Sequence, residues 1–214
     1  MEVQAPLETK PMCKFFLVPA VGLLAALVVS PRAASQPSSE WKDLLGRNLK
    51  DWTRIGNGKN PWQLTADRTL VCGPANDAYA PDNEFYDGTL KFEYRFRPAA
   101  GKTGYKAALS ARWSQNSAGC KIALGDDCGT ITGTFVASSD ATKELEIKPR
   151  EKHGRVPGEW NLVKVQMDGR SVTVNINGKA VGSWERCPEN HGLVLFEAEG
   201  SEVEFRQIHW KEGK

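Results

Sequence analysis

The stretch CKIALGDDC, from Cys120 to Cys128, brings together the residue types in this chain that most readily do chemistry. Two cysteines enclose a strand-like run that ends in Gly-Asp-Asp, so the carboxylates of Asp126 and Asp127 lie beside the second thiol. Thiolates and carboxylates can ligate metal ions, and a carboxylate can also act as a general acid or base. The stretch is therefore a metal-binding loop, a catalytic loop, or a hairpin closed by a disulfide.

The N-terminal segment predicts export from the cytoplasm. Export matters for the cysteines, because disulfides form in an oxidising compartment. Residues 14–30 form an apolar run behind Lys14, and its uncharged part is shorter than the about 20 residues that span a bilayer. Small residues at Ala33 and Ser35 then supply a cleavage point before Gln36. We predict a signal peptide over residues 1–35 and a secreted or periplasmic protein, with an uncleaved membrane anchor as the alternative.

Four cysteines remain after cleavage, an even number in an oxidising compartment, and they allow three pairings. A short hairpin would place Cys120 opposite Cys128, with Cα atoms about 4.5 Å apart, a separation that a disulfide accepts. We predict this bond, and Cys72–Cys187 follows by elimination. A zinc site is disfavoured because the Cys-x2-Cys spacing is absent.

Short strands and close turns dominate the sequence after the leader. In residues 89–97 apolar and charged side chains alternate, which is the period of a half-buried strand. Residues 160–184 predict three strands joined by turns at Asp168-Gly169 and Asn177-Gly178, because both dipeptides adopt positive φ at low cost. Residues 192–198 and 203–211 predict a further hairpin over Glu199-Gly200. Other strands are expected at 62–64, 69–72, 105–113, 119–124 and 130–137, and one helical turn within 41–49.

About a dozen short antiparallel strands indicate an all-β protein with a double-sheet jelly roll. We expect a short linker at 36–40 and one domain over 41–214. Acidic and basic residues nearly balance, 26 against 28, and no basic run stands out, so nucleic acid is a poor candidate partner. No membrane partner is expected once the leader is cleaved.

Five segments in the same order resemble the 3-keto-disaccharide hydrolase domain family, long catalogued as a domain of unknown function. They are LLGRNLKDW (44–52), Trp62 with DRTLV (67–71), FYDGTLKFEYRF (85–96), GEWNLVKVQMDGRSVTVNINGKAV (158–181) and EAEGSEVEFRQI (197–208). The resemblance implies a concanavalin-A-like β-sandwich and a secreted carbohydrate-active protein. It also implies a chemistry, in which a ketone at sugar C3 acidifies the C2 proton and the glycosidic bond breaks by elimination.

The resemblance places the site on the central strands, where this chain keeps only part of the pattern. Arg112 and Asp126 match the Arg and Asp of the family. Lys121 stands where the family has Glu, Ala123 where it has Gln, and Glu197 replaces the Gln of the last motif. An ammonium in place of a carboxylate reverses the local charge and removes an acceptor.

Each candidate residue also has a purely structural interpretation. Lys121 and Arg112 either clamp a carbonyl or an acidic sugar or are solvated strand residues. Glu197 and Glu199 are acid–base candidates, although Glu199 also suits a turn before Gly200. The remaining candidates are His191 for proton transfer or a surface loop, Trp113 for stacking on a sugar or for the core, and Asp126 and Asp127 for a sugar hydroxyl or calcium or for an ordinary turn.

The sequence thus predicts cleavage of a 3-keto-glycoside or a related sugar, with Arg112, Asp126, Glu197, Glu199 and His191 as catalytic candidates. Lys121, Trp113 and Asp127 are the substrate-binding candidates. The alternative is a carbohydrate-binding jelly roll that has lost its catalytic residues. No cofactor is identified, and a divalent metal ion at the carbonyl stays open.

Overall fold

The computed structural model describes residues 40–115, 119–136 and 142–213. The predicted signal peptide and all but the last residue of the linker lie outside these residues. No helix in the described part has the length and apolar character needed to cross a membrane.

The described residues form fifteen strands in two sheets. The strands are β1 (Lys42–Asp43), β2 (Trp52–Ile55), β3 (Trp62–Leu64), β4 (Leu70–Cys72), β5 (Asn76–Pro81), β6 (Gly88–Phe96), β7 (Ala107–Trp113), β8 (Cys120–Ala123), β9 (Ile131–Val136), β10 (Thr142–Ile147), β11 (Asn161–Asp168), β12 (Ser171–Ile176), β13 (Lys179–Trp184), β14 (Leu193–Glu199) and β15 (Val203–Glu212). Sheet A has the order β13-β12-β11-β6-β15-β4-β3, with β1 also paired to β15, and sheet B has the order β10-β9-β8-β7-β14-β5-β2. All strand pairs are antiparallel, which confirms the predicted jelly roll.

The core lies between the two sheets and is built by strict alternation along the strands. In β6, Phe92 and its apolar neighbours two residues away are buried, while the intervening charged residues are partly exposed. Phe92 packs edge-to-face on Phe196 of sheet B with ring centroids 5.3 Å apart, and Phe196 packs likewise on Phe205 of sheet A at 5.1 Å. Such aromatic pairs add to the hydrophobic stabilisation of the sandwich.

Two of the predicted turns are confirmed, and one predicted hairpin is wrong. Gly169, Asn177 and Gly178 all have positive φ and connect β11 to β12 and β12 to β13. Glu199-Gly200 instead joins β14 of sheet B to β15 of sheet A. The two strands do not pair, because each buries its apolar side against the opposite sheet. The helical turn expected within 41–49 is absent, and β1 lies there.

Asp77 ties the two sheets together at one end of the sandwich. Its carboxylate, in β5 of sheet B, accepts a hydrogen bond from Trp62 Nε1 of sheet A at 2.8 Å. It also accepts bonds from Arg54 Nε at 2.9 Å and Nη2 at 2.5 Å. Because the Asp77 side chain is buried, removal would leave the Trp62 and Arg54 donors without their partner.

We predict that Asp77→Ala lowers the free energy of unfolding by about 2–4 kcal/mol, the cost of removing one member of a buried hydrogen-bonded pair. Urea denaturation followed by tryptophan fluorescence measures the change. Asp51→Ala, at an exposed position with no side-chain partner in the described residues, is the matched control. Equal stability of the two variants would show that Asp77 does not hold the sheets together.

Candidate functional site

Glu197 and Glu199 project from the outer face of sheet B, the face turned away from sheet A. In β14, Phe196 and Ala198 point into the core, so the glutamates between and after them point outwards. Strand register places Ser110 of β7 on the same face, next to Lys121 of β8. We call Ser110, Lys121, Glu197 and Glu199 the outer-face cluster.

Lys121 links the two glutamates of the outer-face cluster. Its Nζ lies 3.0 Å from Glu197 Oε2 and 2.7 Å from Glu199 Oε1. The Ser110 hydroxyl donates a hydrogen bond to the other carboxylate oxygen of Glu197. The Glu197 side chain is 19% exposed and that of Lys121 38%, so the cluster is half-buried yet open to a ligand.

The reach of Lys121 depends on the small side chains of β7. Neighbouring strands lie about 4.8 Å apart, so β8 and β14 are about 10 Å apart with β7 between them. Ala108 of β7 lies beside Glu197, and Ser110 lies beside Lys121. A larger side chain at either position would stand in the path of the lysine.

The protonation state of Lys121 suits a hydrogen-bond donor. Burial disfavours its ammonium form, but the hydrogen bonds that the ammonium donates to Glu199 and Glu197, and their negative charges, outweigh burial and raise the pKa of Lys121. An ammonium carries three N–H donors, and the two glutamates take two of them. The third is available to an oxygen of a bound molecule.

Trp113 belongs to an apolar patch on the same outer face. Ala78, Ala80 and Leu195 form its buried base, and Ile55, Trp113 and Leu193 pack against them, half-buried. Leu195 is the register partner of Ser110, so the patch adjoins the outer-face cluster. The structure therefore brings four predicted site residues, Lys121, Trp113, Glu197 and Glu199, to one face.

Arg112 lies on the opposite side of sheet B from Glu197, so this catalytic candidate is outside the outer-face cluster, and it is buried rather than solvated. Its side chain is 0% exposed, and Nη1 donates to two backbone carbonyl oxygens. One is that of Gly169, in the turn between β11 and β12 of sheet A, and the other is that of Glu189, in the loop before β14, at 3.0 Å. Nη2 lies 3.6 Å from a carboxylate oxygen of Asp87. Desolvation lowers the pKa of Arg112, and neither Nε nor Nη2 has a hydrogen-bond partner among the described residues.

A bulge in β7 explains the orientation of Arg112. Leu193 pairs with Trp113 and Val194 with Ala111, so Arg112 is the extra residue, and its φ is 58°. A bulge redirects a side chain and interrupts the alternation that a sequence pattern assumes. Arg112 therefore points inwards, although regular alternation would place its side chain on the outer face of sheet B.

Asp126 and Asp127 lie in the exposed loop after β8, away from Glu197. Asp126 Oδ1 accepts the backbone N–H of Tyr105 at 3.3 Å. The carbonyl of Asp127 accepts the N–H of Thr130 at 2.9 Å, as in an ordinary turn. Arg112 and Glu197 therefore lie on opposite sides of sheet B, and no hydrogen bond or ion pair among the described residues joins Asp126 to Glu197.

His191 lies beyond the opposite end of β14 from Glu197. Its ring stacks on Tyr86 with centroids 5.1 Å apart, and its Nε2 is 4.0 Å from a carboxylate oxygen of Glu84. Six residues of extended chain separate it from Glu197, a span of about 20 Å. His191 is therefore outside the outer-face cluster.

The predicted Cys120–Cys128 and Cys72–Cys187 disulfides are absent, and all four cysteines are buried free thiols. The hairpin is wider than the sequence suggests: Cys120 pairs with Gly133, while Cys128 lies in the loop, where its Sγ is 3.1 Å from the Tyr94 hydroxyl. Burial raises the pKa of all four thiols, that of Cys72 to about 12.

The described residues do not favour a metal centre. No group of three or more His, Cys, Asp or Glu side chains in them is arranged to hold a metal ion. The two carboxylates of the outer-face cluster are bridged by the ammonium of Lys121, which occupies the position where a cation would neutralise them.

Ser110 is the cluster residue that sequence reasoning missed. Its neighbours Leu109 and Ala111 are apolar and buried, so alternation alone indicates that Ser110 lies on the outer face. Its bond to Glu197 joins residues far apart in the chain, and no local pattern reveals that contact.

The family model described as "3-keto-alpha-glucoside-1,2-lyase-like domain" matches residues 40–211. The comparison with curated proteins gave no match. Among solved structures, a Parabacteroides distasonis ATCC 8503 protein named provisionally as a glycosyl hydrolase is 17% identical, with a TM-score of 0.60 over 81% of this chain and 94% of its own.

Two further solved structures share the fold. A carbohydrate-binding module, CBM66, from Bacillus subtilis is 12% identical with a TM-score of 0.58, over 76% of this chain and 96% of its own. A beta-glucanase from Bacillus licheniformis is 9% identical with a TM-score of 0.56, over 82% and 98%. At these identities the likeness concerns the jelly-roll sandwich alone.

We predict that native protein at pH 8 reacts with iodoacetamide at least about 100-fold more slowly than protein in urea, because the thiolate is the nucleophile and raised pKa values keep these thiols protonated. Mass spectrometry of peptides alkylated without reduction measures both rates. The unfolded chain is the internal control. Recovery of a peptide pair linked through Cys120 and Cys128 would contradict the strand register described above.

Proposed function

The chain belongs to the family of 3-keto-alpha-glucoside-1,2-lyase-like domains, and on that basis we propose that it cleaves the glycosidic bond of a 3-keto-glycoside on the outer face of sheet B. The observation that carries the proposal is the outer-face cluster, in which Lys121 contacts Glu197 at 3.0 Å and Glu199 at 2.7 Å. The half-buried Trp113 lies on the same face, three residues along β7 from Ser110. A base, a cationic donor and an aromatic surface then lie together.

The reaction is an elimination followed by addition of water. A base removes the proton from C2, and the electrons of the C2–H bond form an enolate whose charge lies on the C3 oxygen. The enolate then forms a C1–C2 double bond and expels the glycosidic oxygen, which takes up a proton. Water then adds across the C1–C2 double bond, with its hydroxyl at C1 and its proton at C2, which completes hydrolysis. The site must therefore supply a base at C2 and a donor at the C3 oxygen.

Glu197 is the base in this proposal. A carboxylate offers about four lone-pair positions, and Ser110 and Lys121 use two of those on Glu197. The remaining positions can take the C2 proton and afterwards return it to the departing oxygen. The bonds from Ser110 and Lys121 also fix the orientation of the carboxylate, which is the positioning that proton transfer needs.

Lys121 is the donor that stabilises the enolate. Its raised pKa keeps it an ammonium at neutral pH, so it can donate a hydrogen bond but not remove a proton. Its third N–H is directed at the C3 oxygen in the proposed complex, and Glu199 holds the ammonium in place. Positive charge fixed where negative charge develops lowers the barrier without reorganisation during the reaction.

Trp113 provides the surface for the sugar ring. The apolar face of a pyranose packs on an aromatic ring, and Trp113 is held in place by the apolar patch around Leu195. Secretion belongs to the proposal as well, since it rests on the N-terminal segment of the sequence, residues 1–35.

Carbohydrate binding without cleavage is the second candidate, and one observation favours it. Both carboxylates of the cluster are already ion-paired with Lys121, and Glu197 also accepts a bond from Ser110, so fewer of their lone pairs are free to take a proton from a substrate. On this reading the cluster recognises sugar hydroxyls and Trp113 supplies the stacking surface, as in a binding module.

We predict that the chain releases monosaccharides from a 3-keto-disaccharide and that Glu197→Gln lowers kcat at least about 100-fold, since glutamine cannot accept the proton. Lys121→Met lowers it by a similar factor because the enolate loses its donor. Chromatography of released sugars gives the rates. Lys164→Met, at an exposed position on β11 of sheet A, is the matched control and keeps full activity.

Exchange of the C2 proton in heavy water separates the two candidates. Elimination requires that the wild-type chain catalyse deuterium incorporation at C2 and that Glu197→Gln abolish it. Saturable binding of the sugar without exchange or release would overturn the proposed cleavage and establish the binding role. Thermal denaturation of each variant confirms that it is folded.

A further inference from the structure

A cavity of about 350 Å³ opens between the sheets at one end of the sandwich. Tyr94 and Phe96 of β6, Tyr105 and Cys128 line its inner part, and the loop between β10 and β11 contributes Lys152 and Arg155. We call this cavity the end pocket. It lies on the core side of sheet B, so it is separate from the outer-face cluster, and its volume is within the about 300–1,000 Å³ of small-molecule sites.

The inner part of the end pocket is aromatic, with two polar atoms. The rings of Phe96 and Tyr105 are 5.4 Å apart, and those of Tyr94 and Phe96 are 5.8 Å apart in an edge-to-face contact. The Tyr94 hydroxyl and the Cys128 thiol lie 3.1 Å from each other. A flat apolar molecule can pack against these rings and still find a hydrogen-bonding group.

The outer wall of the pocket is held in place by two asparagines. The side-chain oxygen Oδ1 of Asn161 accepts a hydrogen bond from the backbone N–H of Arg155 at 2.7 Å. Asn177 Nδ2 donates to the carbonyl of His153 at 2.7 Å and to Asn161 Oδ1 at 2.9 Å. Asn161 is buried, so the loop that carries Lys152 and Arg155 is positioned before any ligand arrives. Such preorganisation reduces the entropy cost of binding.

The rim of the pocket is positively charged. Neither Lys152 nor Arg155 forms an ion pair with any described residue, although both border the cavity. Asp126, which also borders it, already accepts the N–H of Tyr105 through Oδ1. Two cations against one carboxylate leave the rim with a net positive charge, which favours an anionic ligand.

We propose that the end pocket binds a small aryl carboxylate. The aromatic ring packs against Phe96 and Tyr105, and the carboxylate pairs with Lys152 and Arg155 at the rim. The Tyr94 hydroxyl and Cys128 thiol form the polar end of the cavity. This site is independent of the proposed glycoside cleavage.

Calorimetric titration of the full chain with benzoate tests the proposal. We expect saturable one-to-one binding, at least about tenfold weaker binding by the double variant Lys152→Gln/Arg155→Gln, and at least about tenfold weaker binding of uncharged benzyl alcohol, since each change removes the charge pair. The matched control, Lys164→Gln/Lys179→Gln, removes two exposed charges from sheet A and binds benzoate as the wild type does.

Alkylation of the cysteines locates the ligand. Benzoate is expected to slow the reaction of Cys128 with iodoacetamide at least about threefold, while buried Cys72, outside the pocket, is unaffected. Glu197→Gln should bind benzoate normally, so loss of sugar cleavage and loss of benzoate binding are distinguishable. Absence of saturable binding, undiminished affinity in Lys152→Gln/Arg155→Gln, or equal protection of Cys72 would each overturn the end-pocket assignment.

Discussion

The contact of Lys121 with two glutamates across an intervening strand is the interaction on which the account of this protein depends. The lysine of β8 meets β14 only because β7 contributes Ala108 and Ser110 at the crossing point. Two carboxylates on one strand face would repel each other without a cation between them, and the ammonium removes that repulsion. The same contact keeps Lys121 charged, orders Glu197 and leaves one N–H donor for a ligand.

The two faces of sheet B have different roles: one packs in the core and the other carries the candidate site. Inward side chains such as Phe196 build the core with sheet A, and outward side chains such as Glu197 carry the chemistry. The bulge at Arg112 is the point where this division is interrupted, and it turns a strand residue from the potential site into a buried link to sheet A. Burial of a guanidinium is costly, and the two carbonyl acceptors of Nη1 together with the ion pair to Asp87 offset part of that cost, so the contacts of Arg112 are those of a structural link.

Strand periodicity and turn chemistry were enough to predict much of the fold. The alternation in β6 and the Asn177-Gly178 turn depend on neighbours in sequence, so both are visible in the chain. The predicted pairing of β14 with β15 is wrong, because alternation tells which side of a strand is buried but not which strand lies beside it. The charged edge strand β10 has no apolar alternation and was missed.

The site was predictable only in part, because contacts between residues far apart in the chain are not visible in local sequence patterns. Lys121, Trp113, Glu197 and Glu199 were identified as candidates from their types, whereas the bond from Ser110 and the inward turn of Arg112 depend on register between distant segments. The predicted Cys120–Cys128 disulfide is wrong because the loop between β8 and β9 is longer than expected. Cys120 therefore pairs with Gly133, and Cys128 lies in the loop.

The most direct test of the central claim is a crystal structure of the Glu197→Gln variant with a 3-keto-disaccharide bound. The account predicts the sugar on the outer face of sheet B, with its keto-bearing ring against Trp113 and its C3 oxygen within hydrogen-bonding distance of Lys121 Nζ. A sugar bound on sheet A, or at the end of the sandwich with Lys121 and Trp113 untouched, would contradict it.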